Sequence, residues 1–524
     1  MVKIFYFALA FLIGLLLYVI SPSDFQDAFT VTISNTTSNT TFHLKSSQLP
    51  FKAEDAYIYI SSGNLIIETT QQANVFINDI RCYQKGKENG TYIYKMKLPK
   101  RAKAAGFVLG FAITLFIFTS RIHFVIPSLF ILVLLPFLGV LSSKATLSSL
   151  SSPVVYIFLA GSAFEYAMRK TSLDREISKI VFMFAKNKNS LIITTILVSS
   201  LLSAIMSNTA ATYVIMPIIL SIASDGLKEP LLLSLVASTA IGGSLTIIGT
   251  PPNLIVASFI RDLTGVKMDF GKWIMFGLPT WLVGIPVIFF LTKIFISKKG
   301  VNKSFNMENR KFNENIKLNN EQKVTFYIII ITVVLWATSK MTNLGNGSIA
   351  LLAVLMFLIF GIMEPNDIRK LRWDLVLLFG GGLSLGKALI NSGWADWVVG
   401  KLPQPRNNLE LFGMLTLLLI VGTAFSSHTS AAAFVGPVMI PLGMGISKYF
   451  GTNAYTFGTI LVMLATLSIN NAMALPISTP PSAIVFSSGK IKIKNMMLYG
   501  IIFGILMNSI LVFLLKPLWL WLLK

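Results

Sequence analysis

The sequence has little cysteine, little histidine and little charge. Its 524 residues include one cysteine, Cys82, and three histidines. A single cysteine excludes an internal disulfide and a cysteine-rich metal site, and three histidines argue against a multi-histidine metal centre. Only 13% of the residues are charged, whereas a soluble globular protein has roughly a quarter. The composition therefore argues against an ordinary soluble domain.

Hydrophobic residues take the place of the missing charge. They make up 54% of the chain and form long runs such as 104–120 and 126–143. A helix needs about 20 mainly apolar residues to cross a bilayer. The runs recur along most of the chain and lack the alternation that is typical of membrane barrels. The sequence therefore predicts an all-α polytopic membrane protein in a lipid bilayer.

The basic residues indicate how the chain is oriented. The formal net charge of +22 would suit a nucleic-acid partner, but the positive charges cluster in a few loops, as orientation signals do. These loops lie at 169–179, 297–323, 369–372 and 490–494. About eleven crossings place all four in the cytoplasm. We therefore expect a multi-pass plasma-membrane protein with no nucleic-acid partner, a cytoplasmic N-terminus and an extracytoplasmic C-terminus.

The first hundred residues differ from the rest. Residues 1–20 form an apolar run that is either a first transmembrane helix or a cleaved signal peptide; the orientation above treats it as a helix. Residues 21–103 are polar, alternate in hydrophobicity as strands do, and carry Asn-x-Thr sequons at Asn35, Asn39 and Asn89. We expect a small β-rich extracytoplasmic insertion, to which the sequence assigns no function.

The remainder reads as two related halves. Gly161 and Gly381 are 220 residues apart, and so are Ser207 and Ser427. Each half has an odd number of crossings if the segment around Ser207 re-enters the membrane instead of spanning it, and two such units in series are inverted. We expect two re-entrant hairpins and this division: 104–296 as first repeat, 297–323 as basic cytoplasmic linker and 324–524 as second repeat.

Each half carries a small polar cluster within apolar sequence. The first is Ser-Asn-Thr at 207–209 and the second is Ser-His-Thr at 427–429. Ser, Asn and Thr cap helices and turns, and irregular backbone at membrane depth is tolerated only where it is buried in protein or faces a cavity. We interpret both clusters as hairpin tips. Their amides and hydroxyls suit an anion, and their oxygens suit Na⁺.

Each half also carries a proline pair that breaks a membrane helix. The first is Gly-Thr-Pro-Pro-Asn at 249–253 and the second is Ser-Thr-Pro-Pro-Ser at 478–482. Taken alone, such a pair can be a simple kink. Its recurrence after each polar cluster favours a binding site. Neither cluster contains Arg or Lys, so an anion held there would need a bound cation, which is a physical reason for coupling.

These segments resemble the divalent anion:sodium symporter family, the solute carrier 13-like transporters of the ion transporter superfamily. The resemblance runs from about residue 104 to the end and is carried by 207–209, 237–253, 379–389 and 475–489. It implies a secondary active transporter of di- and tricarboxylates (succinate-, malate- or citrate-like) or of sulfate. It also implies sodium coupling, a homodimer, and an elevator-type mechanism in which a transport domain moves against a scaffold.

The resemblance implies which residues bind. Substrate contacts would come from Ser207, Asn208, Thr209, Ser427, His428, Thr429, Thr479 and Pro480. A first sodium site would lie around Ser203, Asn208 and Gly249, and a second would involve Thr423, position 428 and Ser478. No enzyme activity is implied.

Two positions depart from the family pattern. His428 stands where the second tip would have Asn, and Ser482 stands where Asn would follow the second proline pair. Imidazole lacks the amide oxygen and has a pKa near 6.5. Three alternatives stay open: Na⁺ at the second site, H⁺ or a fixed cation on His428 in a proton-coupled carrier or an exchanger, and a neutral His428 that only hydrogen-bonds the substrate.

Two other classes fit less well. A membrane-embedded hydrolase using Ser427 and His428 lacks an acid to orient the imidazole. A channel would need a continuous lined pore, whereas paired hairpins favour alternating access. Glu165, Asp374 and Asp396 lie near predicted helix ends, where an interfacial position is the simplest account.

Overall fold

The structure of the chain is a computed structural model. It describes residues 2–21, 28–34, 39–53, 56–61, 64–69, 74–77, 80–81, 83–88, 91–97, 101–117, 123, 125–183, 185, 187–296, 318–342, 344–424 and 428–523. The side chains of some residues within these ranges, Thr423 and Thr429 among them, are not described. The sequons at Asn35 and Asn89 lie outside the described residues, as does most of the basic linker.

Short strands occupy much of 28–97. One sheet has the order β2-β1-β6-β7 and the other β3-β4-β5-β9-β8, with antiparallel pairing throughout. The strands are β1 Ala28–Ser34, β2 Asn39–Lys45, β3 Phe51–Lys52, β4 Ala56–Ser61, β5 Asn64–Thr69, β6 Asn74–Ile77, β7 Ile80–Arg81, β8 Tyr83–Glu88 and β9 Thr91–Lys97.

Alternation along these strands buries one face of each sheet. Ile58 of β4 and Ile67 of β5 are buried and form one core with Val31 of β1 and Val75 of β6. The two sheets therefore pack face to face, as alternating strands do. The membrane side on which they lie stays a prediction.

Helices form most of the rest. The first half contains α1 Val2–Ile20, α2 Ala102–Ile117, α3 Val125–Phe137, α4 Ser143–Leu147, α5 Pro153–Lys170, α6 Leu173–Phe182, α7 Lys188–Ser203, α8 Asn208–Ile222, α9 Asp225–Leu245, α10 Pro251–Thr264 and α11 Phe270–Phe295. The second half contains α12 Asn320–Ala337, α13 Ser339–Thr342, α14 Asn346–Ile359, α15 Trp373–Asn391, α16 Trp394–Lys401, α17 Asn408–Ala424, α18 His428–Ile446, α19 Ala454–Asn470, α20 Pro480–Ser487, α21 Ile493–Ile510 and α22 Lys516–Leu522.

Several helices are apolar enough to cross a membrane. Among the described residues, four are long and apolar enough on their own, and a fifth span appears if a pair bent by 116° at 450–454 is counted as one. The four are Ser143–Lys170, Phe270–Phe295, Trp373–Asn391 and Ile493–Leu522. Shorter apolar helices of 10–17 residues accompany them. The chain is a polytopic helical membrane protein, and the number of eleven crossings stays a prediction.

The same order of elements occurs twice. A long helix (α5, α15) is followed by a short one (α6, α16), a helix pair (α7–α8, α17–α18), a helix that stops before a proline pair (α9, α19), a short helix (α10, α20) and a long one (α11, α21). The halves also pack reciprocally, since α3 contacts α15 and α14 contacts α5. This order places both helix pairs and both proline breaks around one cavity.

Candidate functional site

The first helix pair turns at a serine cap. α7 ends at Ser203 and α8 begins at Asn208. Between them, Ser207 has extended backbone, and its Oγ accepts a hydrogen bond from the amide of Ala210 at 3.2 Å. Serine suits this position because its short side chain satisfies one of the first amides of the helix, which have no partner within the helix. The predicted hairpin tip is therefore a helix N-terminus.

Beside this tip, one hydroxyl group faces two acceptor oxygens. The Oγ of Ser203 lies 2.6 Å from Oδ1 of Asn208 and 2.9 Å from the carbonyl oxygen of Thr239. A hydroxyl has one proton to donate, so Ser203 satisfies only one of these two acceptors at a time. An excess of oxygen acceptors over protons is what a hard cation such as Na⁺ requires.

Two glycines let the backbone approach the oxygen atoms of Ser203 and Asn208 closely. A Cβ atom on Gly243 would lie 2.4 Å from Oδ1 of Asn208. One on Gly249 would lie 2.6 Å from the Gly243 carbonyl oxygen and 2.9 Å from that of Ser203. Only glycine allows so close an approach. The predicted ligands Ser203, Asn208 and Gly249 therefore lie together, and their oxygens fit a sodium ion; a cation there would supply the positive charge that the tip lacks.

Asn253 and Asn470 connect the two broken helices. Nδ2 of Asn253 donates to the carbonyl oxygens of Gly243 and Thr246, both at 2.8 Å. Nδ2 of Asn470, at the end of α19, donates to Oδ1 of Asn253 at 3.2 Å. All of these side chains are buried. Sequence reasoning missed Asn470, because a contact across 217 residues leaves no local pattern.

The second tip differs at its central residue. Ser427 lies outside the described residues, and the side chains of Thr423 and Thr429 are not described. His428 begins α18, and its Nε2 lies 3.0 Å from the carbonyl oxygen of Ala472. A carbonyl oxygen can only accept, so Nε2 carries the proton of this hydrogen bond.

His428, which stands where the first half has Asn208, gives the second half a different chemistry. Ala472 stands 229 residues after Gly243, the same offset that relates Thr250 to Thr479. Asn208 presents an oxygen near its glycine, whereas His428 presents an N–H group to the corresponding backbone. Hard cations take oxygen ligands, and an N–H group repels them. The described residues therefore do not fit a second sodium ion in the way that those of the first half fit one.

The second break is closed by local hydrogen bonds. Thr479 caps α20: its Oγ1 accepts from the amide of Ser482 at 3.1 Å and lies 2.8 Å from that residue's Oγ. Oγ of Ser478 accepts from the amide of Leu475 at 3.1 Å. Ser482 stands where the first half has Asn253, but it bonds only within its own turn in these contacts. Pro480 and Pro481 follow as the first residues of α20.

Both tips and both breaks line one cavity of about 610 Å³. Its lining includes most of the predicted site residues: Ser207, Asn208, Thr209, Gly249, His428, Ser478, Thr479 and Pro480. Ser203 is fully buried behind Asn208. The structure therefore brings these predicted residues together with Ser203, whereas Ser427 lies outside the described residues and the side chains of Thr423 and Thr429 are not described.

Most of the remaining lining residues are apolar, and two of them carry charged side chains. Phe158, Ile248 and Leu375 are among the apolar residues. Glu165 of α5 and Arg372, which immediately precedes α15, also line the cavity. Neither belongs to a tip or a break. The cavity has the size and the mixture of apolar and polar groups that small-molecule sites have.

Sequence comparisons relate the chain to known transporters. Residues 113–457 match the citrate transporter family CitMHS. The sodium-dependent dicarboxylate transporter SdcS of Staphylococcus saprophyticus is 29% identical over 435 residues, covering 74% of this chain and 82% of the relative. SdcS of Staphylococcus aureus strain USA300 is 27% identical over 437 residues, covering 74% and 81%. These matches confirm the resemblance to sodium-coupled anion transporters, which are not enzymes. The chain, with two broken helices and two helix pairs around one cavity, belongs to the citrate transporter family.

Proposed function

We propose that the chain is a sodium-coupled secondary transporter of di- and tricarboxylates in the plasma membrane. The observation that carries the proposal is the shared cavity, where the described parts of both tips and both proline breaks meet. The names of the relatives, which are sodium-dependent dicarboxylate transporters, support the choice of substrate and coupling ion. Succinate, malate and citrate are the candidates.

Neutral donors at the tips would hold the anion. At the N-terminus of α8, Ser207 and Thr209 line the cavity, so that backbone amides, hydroxyls and the positive end of the helix are available to an anion there. His428, Thr479 and Pro480 border the same space from the second half, and Ser427 and Thr429, as neighbours of His428 in the sequence, would add further contacts. No lysine or arginine lies in either tip, so Na⁺ held by Ser203, Asn208 and Gly249 would supply the missing charge.

Coupling follows from this shortage of positive charge. Sodium bound beside Asn208 fixes the tip that the anion contacts and offsets part of the anion's charge. Each ligand then raises the affinity of the other by the same factor. A site with its own arginine at the tips would bind the anion without sodium and would couple weakly.

The arrangement of the halves supports alternating access. Two units with the same order of helices, and reciprocal packing of α3 on α15 and α14 on α5, suit an inverted repeat with its site between the units. In an elevator-type mechanism the tips and breaks would move as one body past α5 and α15. The proposal also includes a homodimer. It places the N-terminus in the cytoplasm, and the strand segment and the C-terminus outside it.

A second candidate is a carrier that uses fewer sodium ions. The hydrogen bond from His428 Nε2 to Ala472 favours it, because this N–H group occupies the place that an oxygen ligand would need. Such a protein would exchange dicarboxylates, or couple to H⁺ as well as Na⁺. Sulfate is the alternative substrate, since its tetrahedral oxygens also accept from amides and hydroxyls.

Uptake by the purified protein in proteoliposomes tests the proposal. Succinate, malate, citrate and sulfate are offered under an imposed Na⁺ gradient, an imposed H⁺ gradient, both or neither. Saturable dicarboxylate uptake that requires the Na⁺ gradient supports the first candidate. Uptake that needs only internal dicarboxylate, or only the H⁺ gradient, supports the second. No saturable uptake of any dianion contradicts both.

A further inference from the structure

The cavity contains a positive charge that lies outside the tips. Arg372 precedes the first residue of α15 and lies two residues after the turn Pro365–Lys370, at the end of the predicted cytoplasmic basic loop 369–372. Its side chain is 41% exposed and lines the same cavity as Ser207 and Thr479. A solute that entered the cavity from the side of the basic loops, where the predicted orientation places Arg372, would meet this basic side chain.

Asp374 holds the Arg372 guanidinium in place. Nε of Arg372 lies 3.0 Å from Oδ1 of Asp374, and Nη2 lies 3.0 Å from Oδ2. A guanidinium has five N–H donors, and this paired contact leaves those on Nη1 for a second anion. An arginine fixed by one carboxylate is preorganised to accept another, because its planar fork is already oriented.

An acidic residue of another helix lies at the same cavity. Glu165 of α5 also borders the cavity and is paired with Arg169 at 3.2 Å. A dianion that passes between α5 and α15 meets this carboxylate as well as the Arg372 guanidinium. Without Arg372, the carboxylate of Glu165 would be the charged group of the described lining that the dianion meets, and it would repel the dianion.

We infer that Arg372 receives and releases the dianionic substrate on the side of the basic loops, one step away from the tip site. The inference rests on the proposed function and adds a second, transient contact to it. In alternating access this contact is available only when the cavity is open toward the basic loops. Arg372 should therefore set the apparent affinity on that side and leave the apparent affinity on the other side unchanged.

Side-specific transport kinetics test this inference. Uptake into intact cells gives KM on the outer face, and uptake into inside-out vesicles from the same cells gives KM on the inner face. We expect Arg372→Gln to raise the inner-face KM about threefold to tenfold, the size of one screened charge interaction with a dianion, with the outer-face KM changed less than about twofold. Arg372→Lys, which keeps the charge, should restore part of the loss.

Arg369→Gln is the matched control. Arg369 lies in the same basic turn and is exposed, but it does not line the cavity. This variant removes the same charge from a position outside the cavity. Its inner-face KM should therefore stay close to that of the unmodified protein. The inner-face KM should also rise with ionic strength in the unmodified protein and in Arg369→Gln, and rise less in Arg372→Gln, because salt screens the attraction.

Three outcomes contradict the inference. Equal effects of Arg372→Gln on both faces would indicate a role at the central site or in folding. Equal effects of Arg369→Gln and Arg372→Gln would indicate general surface charge. An unchanged inner-face KM in Arg372→Gln would show that the dianion does not use this residue. By contrast, absence of dianion uptake by the unmodified protein on either face would overturn the proposed function itself.

Discussion

Single atoms at positions 208 and 428 distinguish the two halves of the binding site. Oδ1 of Asn208 lies beside the hydroxyl of Ser203, which also contacts the carbonyl oxygen of Thr239. His428 offers an N–H group to the carbonyl of Ala472. One half is therefore rich in oxygen acceptors and the other has filled that place with a donor. Ion coupling should depend on the first half.

Ser203→Ala tests the oxygen site. The variant removes a hydroxyl beside Asn208 and should raise the Na⁺ concentration for half-maximal uptake about tenfold, the size of one hydrogen bond or contact to a charged group. The matched control is Ser199→Ala on the same helix, where the hydroxyl donates to the carbonyl of Thr195 at 2.6 Å. If Ser199→Ala raised the Na⁺ concentration for half-maximal uptake as much as Ser203→Ala does, the assignment of Ser203 to a sodium site would be contradicted.

Gly249→Ala tests the close approach of the backbone. The added methyl group would lie 2.6 Å from the Gly243 carbonyl oxygen, so the carbonyls must separate, and Na⁺-dependent uptake should fall by more than about tenfold. Gly413→Ala is the control, because a Cβ there meets no atom within 4 Å. Full activity in Gly249→Ala at normal Na⁺ affinity would rule out a tightly packed cation site here.

His428→Asn tests the altered second half. Asparagine restores an amide oxygen opposite Ala472, and we expect the dependence of uptake on Na⁺ to become steeper because a second ion binds. The Hill coefficient for Na⁺ is the measurement, taken between pH 6 and pH 8 with succinate as substrate. An unchanged coefficient, with unchanged pH dependence, would show that the imidazole does not determine ion coupling.

Broken helices are the elements that create the site, and their positions were predictable. Pro, Gly and Ser act within a few residues, so the tip at Ser207 and the breaks before Pro251 and Pro480 could be located from the sequence. The contact between Asn253 and Asn470 could not, since the two residues are 217 positions apart and meet only through the packing of two helices. Arg372 was assigned to a loop, and only the fold shows that it lines the cavity.

A buried aspartate fastens the turn before α15 to α5. Asp367 accepts from the amide of Glu364 at 2.9 Å, from Nζ of Lys170 and of Lys370 at 2.8 Å each, and from the hydroxyl of Tyr166 at 2.6 Å. These donors, the Glu364 amide first, hold the pKa of Asp367 well below its usual range. The turn that presents Arg372 is thereby tied to the facing helix.

Asp367→Asn should lower the thermal unfolding midpoint in detergent at pH 7 by roughly 2 °C or more. Because the folded pKa of Asp367 is depressed, its contribution is fully present above the unfolded value near 4 and is lost as pH falls below that value. The unmodified protein should therefore lose more stability than the variant between pH 5 and pH 3. Asp225→Asn is the control, since Asp225 pairs with Lys228 at the same 2.8 Å distance but its side chain is 91% exposed.

At the scale of the whole molecule, the proposed function depends on two halves that converge on one cavity. Residues separated by more than two hundred positions line one cavity, and Thr292 and Tyr499 meet at 3.2 Å between α11 and α21. Such convergence is what the proposed duplication would produce, because each unit would be incomplete without the other. The offsets between the repeats predicted the pairing of the halves, whereas the packing that closes the cavity required the structure.

Substrate protection of cysteines on both halves tests the convergence most directly. In a Cys82→Ser background, Ile205→Cys and Ile477→Cys are alkylated separately with a permeant thiol reagent; both native residues line the cavity, one from each half. Ser221→Cys, at an exposed position outside the cavity lining, is the control. We predict that succinate with Na⁺ protects both cavity cysteines with the same half-protecting concentration, and that succinate in K⁺ protects neither. Protection of only one half, or protection of the two at clearly different concentrations, would contradict a single shared site.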